Sequence, residues 1–441
     1  MSAIHRGLTV TVIVKEEKLS EINVLLEEYN LHSKNHQEDY HVQMPSTFFI
    51  SWLTLPSQFY AEKEQLPARI ILLTSYVGNK KRHLNELVAF MGSKLKAVFA
   101  FSEEFKSTAN DNEGLVKFLN QKSIFNTFYS GFKFIKTQDV KKELDLRNKV
   151  FDYLNSKREE PGFSYQSPEE IKEQIENFVK KEDATKWAEV GLKSLKTDKF
   201  NMLTPLYIFG LVMATSIIFL ILSIFMKPSF LFWIGLIFPV FLIGLIILFL
   251  LLRINENNPH IPNKPVSDDW IRNIVLRENN TVINEMTVIA PLKKGLIRRI
   301  FLGVSLRLVY LIRFFSYIPT VHTARWLQMD SGKRLVFIAT FDNLSEAYAH
   351  DFVDSENRTR NMAVIFSHAA GFPATTWLVK KSYNHRSEYM KGVRAHQKIT
   401  QFWYTFNTDL SVENLKTNRK FREGLFKKMS ADEIREWLLT I

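Results

Sequence analysis

The 441-residue chain has no cysteine. Disulfides, thiolate metal sites and cysteine nucleophiles are therefore excluded together. The short signatures of common chemistries are missing as well. There is no His-Glu-x-x-His, no Gly-x-Ser-x-Gly, no phosphate-cradling Gly-x-x-x-x-Gly-Lys loop and no Gly-x-Gly-x-x-Gly. Zinc-finger spacing, an RRM-type motif and a basic tail are also lacking, so no nucleic-acid partner is expected. The first 14 residues lack the apolar core of a signal peptide and read instead as a strand, "GLTVTVIV". The last absence is of charge. Neither 200–226 nor 228–252 contains an Asp, Glu, Lys or Arg.

Each uncharged run exceeds the roughly 20 residues needed to cross a hydrocarbon core of about 30 Å. A soluble helix of such length would show a polar face, and neither run has one. Lys227, Pro228 and Ser229 separate the runs, and Pro228 helps to stop the first helix. The expectation is a transmembrane helical hairpin over 200–254, with both long flanks on one side. Lys193, Lys196 and Lys199 precede it and Arg253 closes it, which places both soluble parts in the cytoplasm. Pro239 is expected to kink the second span. No ionisable group lies within the spans, which argues against an ion or proton pathway.

Apolar residues make up 46% of the chain, enough for real cores, and its length calls for more than one unit. The two flanks resemble each other. "FFISWLTLP" matches "HTARWLQMD", aligning Trp52 with Trp326, and "RIILLTSY" matches "RLVFIATF". "KAVFAFSEEF", "NQKSIFNTFYSGF" and "DVKKELDLRNKVFDYL" find counterparts in the same order in "MAVIFSHAAGF", "HQKITQFWYTF" and "SVENLKTNRKFREGL". Each half reads as strand, helix, strand hairpin, short helix and fourth strand, the last being 97–101 or 363–368. That βαββαβ order is ferredoxin-like. The expected fold is thus α+β: two ferredoxin-like repeats, 1–155 and 281–441, forming a pseudo-dimeric α/β barrel with a shared aromatic interior. A charged helical linker (156–199) and a Pro/Asn-rich linker (255–280) flank the hairpin. Ser167, Pro168 and Glu170 mark a helix start within the first linker.

Lys and Arg outnumber Asp and Glu by 12, which suggests an anionic partner. Segment 295–318, "GLIRRIFLGVSLRLVYLIRFFSYI", is almost long enough to span, but Arg298, Arg299, Arg307 and Arg313 oppose insertion at about 2.5–3.5 kcal/mol each. It reads as a basic amphipathic helix lying on the sheet or on the lipid surface, with its Arg heads toward anionic headgroups. Lys293 and Lys294 add to that attraction.

Reactive side chains concentrate in the second half. His322 and Arg325 interrupt an apolar strand, His368 precedes the turn "AAGFP", and His396 ends "RAHQ". Strand alternation puts His322 with Ala324 and Trp326, and Arg325 with Thr323 and Leu327, on opposite faces. Phe48 and Ser51 occupy the matching places in the first half, so any site belongs to the second. The imidazoles would hold a metal or a haem iron only if the fold gathers them. No metal motif is present. The structural alternatives are a satisfied core histidine, an Arg325 paired with Asp330, Asp342 or Asp351, and a basic helix end at 394–397.

His-Thr-Ala-Arg-Trp at 322–326, with "FIATFDNLSEAYAHDFVD" and "AVIFSHAAGFP", resembles a group of uncharacterised bacterial membrane-anchored proteins. These carry a His-Phe-Ala-Arg strand, a later Tyr-Asp or Phe-Asp, and a Gly-Phe-Pro or Gly-Tyr-Pro turn. Thr323 departs from the expected Phe. The likeness covers most of 280–425 and, more weakly, 5–150. In architecture the duplicated arrangement is similar to dimeric α/β-barrel proteins, including dye-decolourising peroxidases and chlorite dismutases, but the peroxidase Gly-x-x-Asp-Gly is absent. Three functions follow as expectations: a membrane-anchored ligand-binding or interaction module with an unidentified protein or small-molecule partner; a haem- or small-ligand-dependent oxidoreductase with its site in the second half; and a protein of the anionic lipid surface.

Overall fold

The computed structural model describes residues 3–441 apart from 61–62, 106–110, 161–165, 190–195, 226–229, 257–265, 279–281, 316, 346, 349 and 351–355. The chain is α+β, with antiparallel sheets and two long apolar helices. In the first half, β1 (His5–Val14), β2 (Thr47–Leu55) and β5 (Ala68–Val77) form a sheet with β5 central; β3 (Gln58–Tyr60) and β4 (Glu64–Leu66) make a small hairpin between β2 and β5. In the second half, β7 (Ile283–Pro291), β8 (Val321–Met329) and β9 (Arg334–Asp342) form a second sheet with β9 central.

The outer edges of these sheets are closed by strands from the opposite half. β6 (Thr127–Ser130) pairs with β8, setting Thr127 opposite Trp326. β11 (Phe402–Thr405) pairs with β2, setting Phe402 opposite Trp52. At the other edge of the second sheet, β10 (Gln397–Lys398) pairs with β7. Its counterpart in the first sheet is a single bridge, Val10 to Ser123, flanked by Ile124 N–H to Thr9 O (2.9 Å). The sheet orders are therefore β1-β5-β2-β11 and β10-β7-β9-β8-β6.

The segments expected as fourth strands are not strands. Residues 97–99 end the helix Lys80–Phe99, whose buried Leu84, Leu87, Val88, Met91, Leu95 and Val98 follow the helical repeat from an Asn79 cap that accepts from Lys81 N–H. Residues 363–366 likewise end the helix Glu356–Phe366. A short apolar run fits either period, and in both places the preceding turns decide for helix.

One face of each sheet carries helices. Trp52, Leu72 and Val10 pack under the helices Leu19–Asn35, Lys80–Phe99 and Asn112–Gln121. Phe337, Ala339 and Val288 pack with Leu302 and Leu306 of Leu296–Ile312 and with Ala363 and Tyr389. The two bare faces meet in a core of Leu53, Leu55, Ile71, Leu73, Ile289, Leu327, Met329, Val336 and Ile338. The shared interior is thus aliphatic where Leu53, Ile71, Leu327 and Val336 meet, while Phe48, Phe49, Phe132 and Phe406 gather with Ile283 in a separate aromatic cluster; Trp52 and Phe337 face the helices, so the expected aromatic interior holds in part only. Asp330, in the turn after β8, joins the halves by accepting from Arg69 (2.8 Å) and pairing with Arg334 (3.0 Å). The helix Pro168–Lys181 starts with the expected Ser167–Glu170 capping box, and its Ile175 and Val179 pack on Leu146, Val150, Phe421 and Trp437.

Two helices, Lys196–Phe225 and Phe232–Asn255, are long and apolar enough to cross a membrane, and few of their residues are buried by protein. The turn expected at 227–229 lies outside the described residues, as do 257–265 of the second linker. The second helix is interrupted at Leu236, one turn before Pro239. Pro239 has no N–H for the carbonyl of Gly235, four residues back. The Ser216 hydroxyl of the first helix takes that place, donating to Gly235 O (2.8 Å) and accepting from Phe238 N–H (2.8 Å). Gly235 is required there, because a Cβ would lie 2.6 Å from Leu220 N.

The strand exchange can be tested at Gly131, where the chain leaves β6 and donates its N–H to His322 O (2.9 Å). A Cβ at this position would run into the Val321 carbonyl oxygen. Gly131→Ala is expected to cost about 3 kcal/mol and to lower the melting temperature of the whole chain. Gly92→Ala, in a helix with only ordinary contacts at 3.6 Å, is expected to be neutral or stabilising by up to about 1 kcal/mol. Circular-dichroism melts of the two variants check this.

Candidate functional site: a carboxylate at the seam between the sheets

The four candidate side chains of the second half lie apart. A bulge between Val321 and Thr323 breaks the alternation assumed for β8. His322 is the extra residue. Its Nε2 meets Asp342 Oδ1 at 2.7 Å, and the Asp342 carboxylate also accepts Val412 N–H (3.1 Å) at the start of the helix Val412–Gly424. Its ring stands edge-on to Phe49 and Phe132. β2 has the same bulge, between Thr47 and Phe49, at Phe48. His322 therefore ties a strand end to a helix start. His368 is fully buried against Phe301, and burial, with Arg298 and Lys293 nearby, brings its pKa down to about 3. His396 packs near Phe372, and burial lowers it to about 4. Both rings are neutral at physiological pH.

Arg325 is buried between the sheets and reaches across to the first half. It donates to Leu8 O (2.7 Å), Thr74 O (2.9 Å), Ser75 Oγ (2.7 Å) and Thr9 Oγ1 (3.4 Å). Burial lowers its pKa to about 10, partly offset by Glu285 and Tyr76, so it stays charged. Asp330 and Asp342, proposed above as its partners, are held by Arg69, Arg334 and His322 instead, and Asp351 lies outside the described residues.

The four Arg expected to face lipid do not behave alike. Arg298 is buried, with Nε on Asn255 Oδ1 (2.5 Å) and Nη1 on Ser367 O (3.4 Å). Arg313 is buried with its guanidinium over the Tyr310 ring (3.6 Å). Arg299 is half-buried and donates to Ser331 O (3.4 Å). Arg307 alone of the four is exposed. The other heads are taken up by Asn255 and Ser367, by the Tyr310 ring and by the turn after β8.

The residue that the sequence did not single out is Glu285. β7 alternates Met286, Val288 and Ala290 toward the helices with Glu285, Thr287 and Ile289 toward the inter-sheet space. The Glu285 carboxylate accepts from Ser51 Oγ of the first half, from Thr400 Oγ1 (2.7 Å) and from Thr287 Oγ1 (3.2 Å). It lines a cavity of about 70 Å³ together with Lys398, Thr400, Trp403, Gln397 and Asn284. Arg277 at the rim is paired with Glu27 (2.6 Å). Burial pushes the Glu285 pKa up to about 7, against the opposing pull of the hydroxyls and Arg325. The group can therefore both give and take a proton near neutral pH. A run of strand residues with one Glu on the inward-facing set was the available signal.

Neither this cavity nor a second of about 970 Å³, lined by Lys80, Asn85, Glu113 and Lys117 of the helices Lys80–Phe99 and Asn112–Gln121, is lined by His322, Arg325, His368 or His396. Among the described residues no three His, Asp or Glu side chains are grouped to hold a metal ion. With His322 Nε2 on Asp342, and His368 and His396 packed against rings, the set does not fit a haem iron. Comparison of the chain with family models, with curated proteins and with solved structures finds no match.

Glu285 also links stability to pH. Its folded pKa of about 7 lies above the ordinary 4.5, so the folded state holds the extra proton between those values. Its contribution is full below pH 4.5 and is lost as the pH rises through 7. Glu285→Gln removes this loss. The variant should be more stable than the parent above pH 7, by at most about 3 kcal/mol, and the two should converge below pH 4.5. Urea melts at pH 4.5, 6 and 8 measure the difference, and a constant gap across the three would contradict it.

Proposed function

We propose that the protein is a membrane-anchored module, with both soluble parts on the cytoplasmic side, that binds a small carboxylate-bearing ligand at the Glu285 cavity. The observation that carries this reading is a protonatable carboxyl in the lining of a cavity, together with a lysine. At pH values below 7 the Glu285 hydroxyl can donate to a ligand carboxylate, and Lys398 supplies positive charge. Above pH 7 the ionised Glu285 repels the same ligand. A cavity of about 70 Å³ suits a group of a few heavy atoms.

The architecture behind the site is, in this reading, a duplicated ferredoxin-like unit closed into a barrel by strand exchange. Support comes from the order of the five sequence matches and from their agreement in register. Trp52 and Trp326, matched in sequence, face the first residue of each exchanged strand. Both edge strands carry a bulge at the matched residues Phe48 and His322. The anchor is the pair of apolar helices, and the lysines before them and Arg253 after them support the cytoplasmic side. Because the chain has no cysteine, a single cysteine at Ser229 or at Asp432 can be labelled without background. In sealed inside-out vesicles an impermeant maleimide should reach Asp432→Cys and not Ser229→Cys; the opposite pattern would reverse the sidedness.

Ligand binding is read by tryptophan fluorescence during titration with acetate, since Trp403 lines the cavity. The parent should show a saturable change that weakens about tenfold from pH 6 to pH 8, as a group with a pKa near 7 ionises. Glu285→Gln keeps a donor and loses the titration, so it should bind equally at both values. No saturable change at pH 6, or the same pH dependence in the variant, would sink the reading.

A further inference from the structure

The second half is fastened to the membrane hairpin by more than the chain connection. Glu256, immediately after the second apolar helix, is buried and accepts the backbone N–H groups of Trp377 (2.8 Å) and Leu378 (2.7 Å). Both of these residues have positive φ, a conformation that puts the two N–H groups on one carboxylate. Asn255 accepts from Arg298, and the Arg253 guanidinium lies 5.6 Å from the centre of the Trp377 ring. Further in, Phe249 stacks on Trp377 (5.2 Å) and meets Phe301 (6.3 Å). Phe249 is six residues before Asn255, which is about 9 Å along a helix. Whatever depth Phe249 has in a bilayer, Phe301 and Trp377 share it.

Phe301 belongs to the helix Leu296–Ile312. Its inner side is filled by Leu302, Leu306 and Arg298. Its outer side leaves Leu296 (59%), Ile300 (45%) and Ile312 (51%) exposed, and Phe315 (68%) follows just beyond the helix end. Arg307 sits among them with its guanidinium drawn 5.5 Å over Phe125, itself exposed on the first half. An apolar surface that is continuous with two bare membrane helices, and held at the level of Phe249, needs an apolar solvent. We propose that the outer face of helix Leu296–Ile312, with Phe315, is sunk in the lipid of the bilayer interface, and that the second half rides partly embedded while the Glu285 cavity remains in water. The arginine head stays at the headgroup level by folding back along its own stem. Trp377 takes the position of an interfacial belt tryptophan.

This inference rests on the hairpin crossing the bilayer, and the test separates the two. Single cysteines replace Ile300, Ile312, Phe315, Ile246 and Phe59 in the full chain, which is reconstituted in phosphatidylcholine–phosphatidylglycerol vesicles. Each is spin-labelled, and collision rates with oxygen and with a water-soluble nickel chelate are compared. Ile246 is exposed on the second apolar helix and Phe59 on the small β3–β4 hairpin. Positions 300, 312 and 315 should favour oxygen over nickel several-fold, as position 246 does, whereas position 59 should favour nickel. If 246 favours oxygen while 300, 312 and 315 match 59, the embedded face is wrong and the anchor stands. If 246 also matches 59, both fail. Exclusion of both reagents at 300, 312 and 315, with spin–spin broadening that vanishes on dilution with unlabelled chain, would make the face a contact between copies and overturn the lipid assignment.

Discussion

The backbone groups along the outer edges of β2 and β8 govern this structure. An edge strand presents a row of N–H and C=O groups that must find partners or remain open to any passing strand. Here each row is closed by a four-residue strand from the far half of the chain, Phe402–Thr405 on β2 and Thr127–Ser130 on β8. The first half cannot complete its sheet until the last quarter of the chain has been made. The second cannot complete its own without residues that precede the apolar helices. Nearly 200 residues separate Ser130 from β8, so the closure is entropically slow although the added loop length costs little at equilibrium. The exchange also brings the trailing helices together. Thr137–Lys157 and Val412–Gly424 meet at a buried cluster in which Arg419 and Arg422 reach Glu143 (both at 2.9 Å).

Because the halves are interlocked, the apolar helices are an insertion in a closed body and not a tether between two free ones. The start of the first apolar helix meets that body where Asp198 accepts Ala3 N–H (2.7 Å), and the exit of the second is fixed within it by Glu256 and Asn255. A shift or rotation of that helix would therefore act on Trp377, Leu378 and Arg298. Arg298 stands beside Lys293, whose pKa burial lowers to about 7 and whose Nζ donates to Ser367 O (2.9 Å), the carbonyl that Arg298 also reaches. Burial of a lysine is tolerable there because carbonyls and Glu256 surround it.

Much of this was readable in the sequence, for reasons that differ by element. The apolar helices announce themselves by length and lack of charge, and β2, β5, β8 and β9 by β-branched and aromatic runs bounded by turn residues. Ser167, Pro168 and Glu170 fixed a helix start because capping is local chemistry. The fourth strands went wrong because "AVFAF" and "AVIF" are too short for periodicity to decide, and only the helix upstream resolves them. The partner of the exchanged strands was not legible, since nothing local distinguishes pairing with one's own sheet from pairing with the other. Arg325 and His322 stood out for breaking the apolar pattern, yet their partners are backbone carbonyls and hydroxyls for the first and the helix-capping Asp342 for the second. Glu285 was passed over because one acid near the start of a strand looks like a solvent-facing residue. What gives it a different meaning is Ser51, which comes from the other half.

Arg325 and Glu285, the two charged groups of the seam described above, both come from the second half, and the reason is space. Gly7 pairs with Ser75 across β1 and β5, and Glu285 pairs with Thr340 across β7 and β9. With Arg69 matched to Arg334 in sequence, Gly7 and Glu285 fall at corresponding places. A Cβ on Gly7 would lie 2.7 Å from the Phe128 ring and 3.3 Å from the Arg325 guanidinium carbon. Any side chain there would displace the arginine that holds Leu8 O and Thr74 O. At the other seam, Ser51 stands in β2 at the place matched in sequence to Arg325 in β8, and a hydroxyl is small enough to leave Glu285 room. The two seams thus divide the work. One is filled by a long cation laid against a glycine, which locks the sheets together. The other keeps a short hydroxyl against a carboxylate, which leaves a gap. A symmetric pair of either kind would give two locks and no cavity, or two cavities and no lock. The difference between the halves is what lets one interior both hold and open.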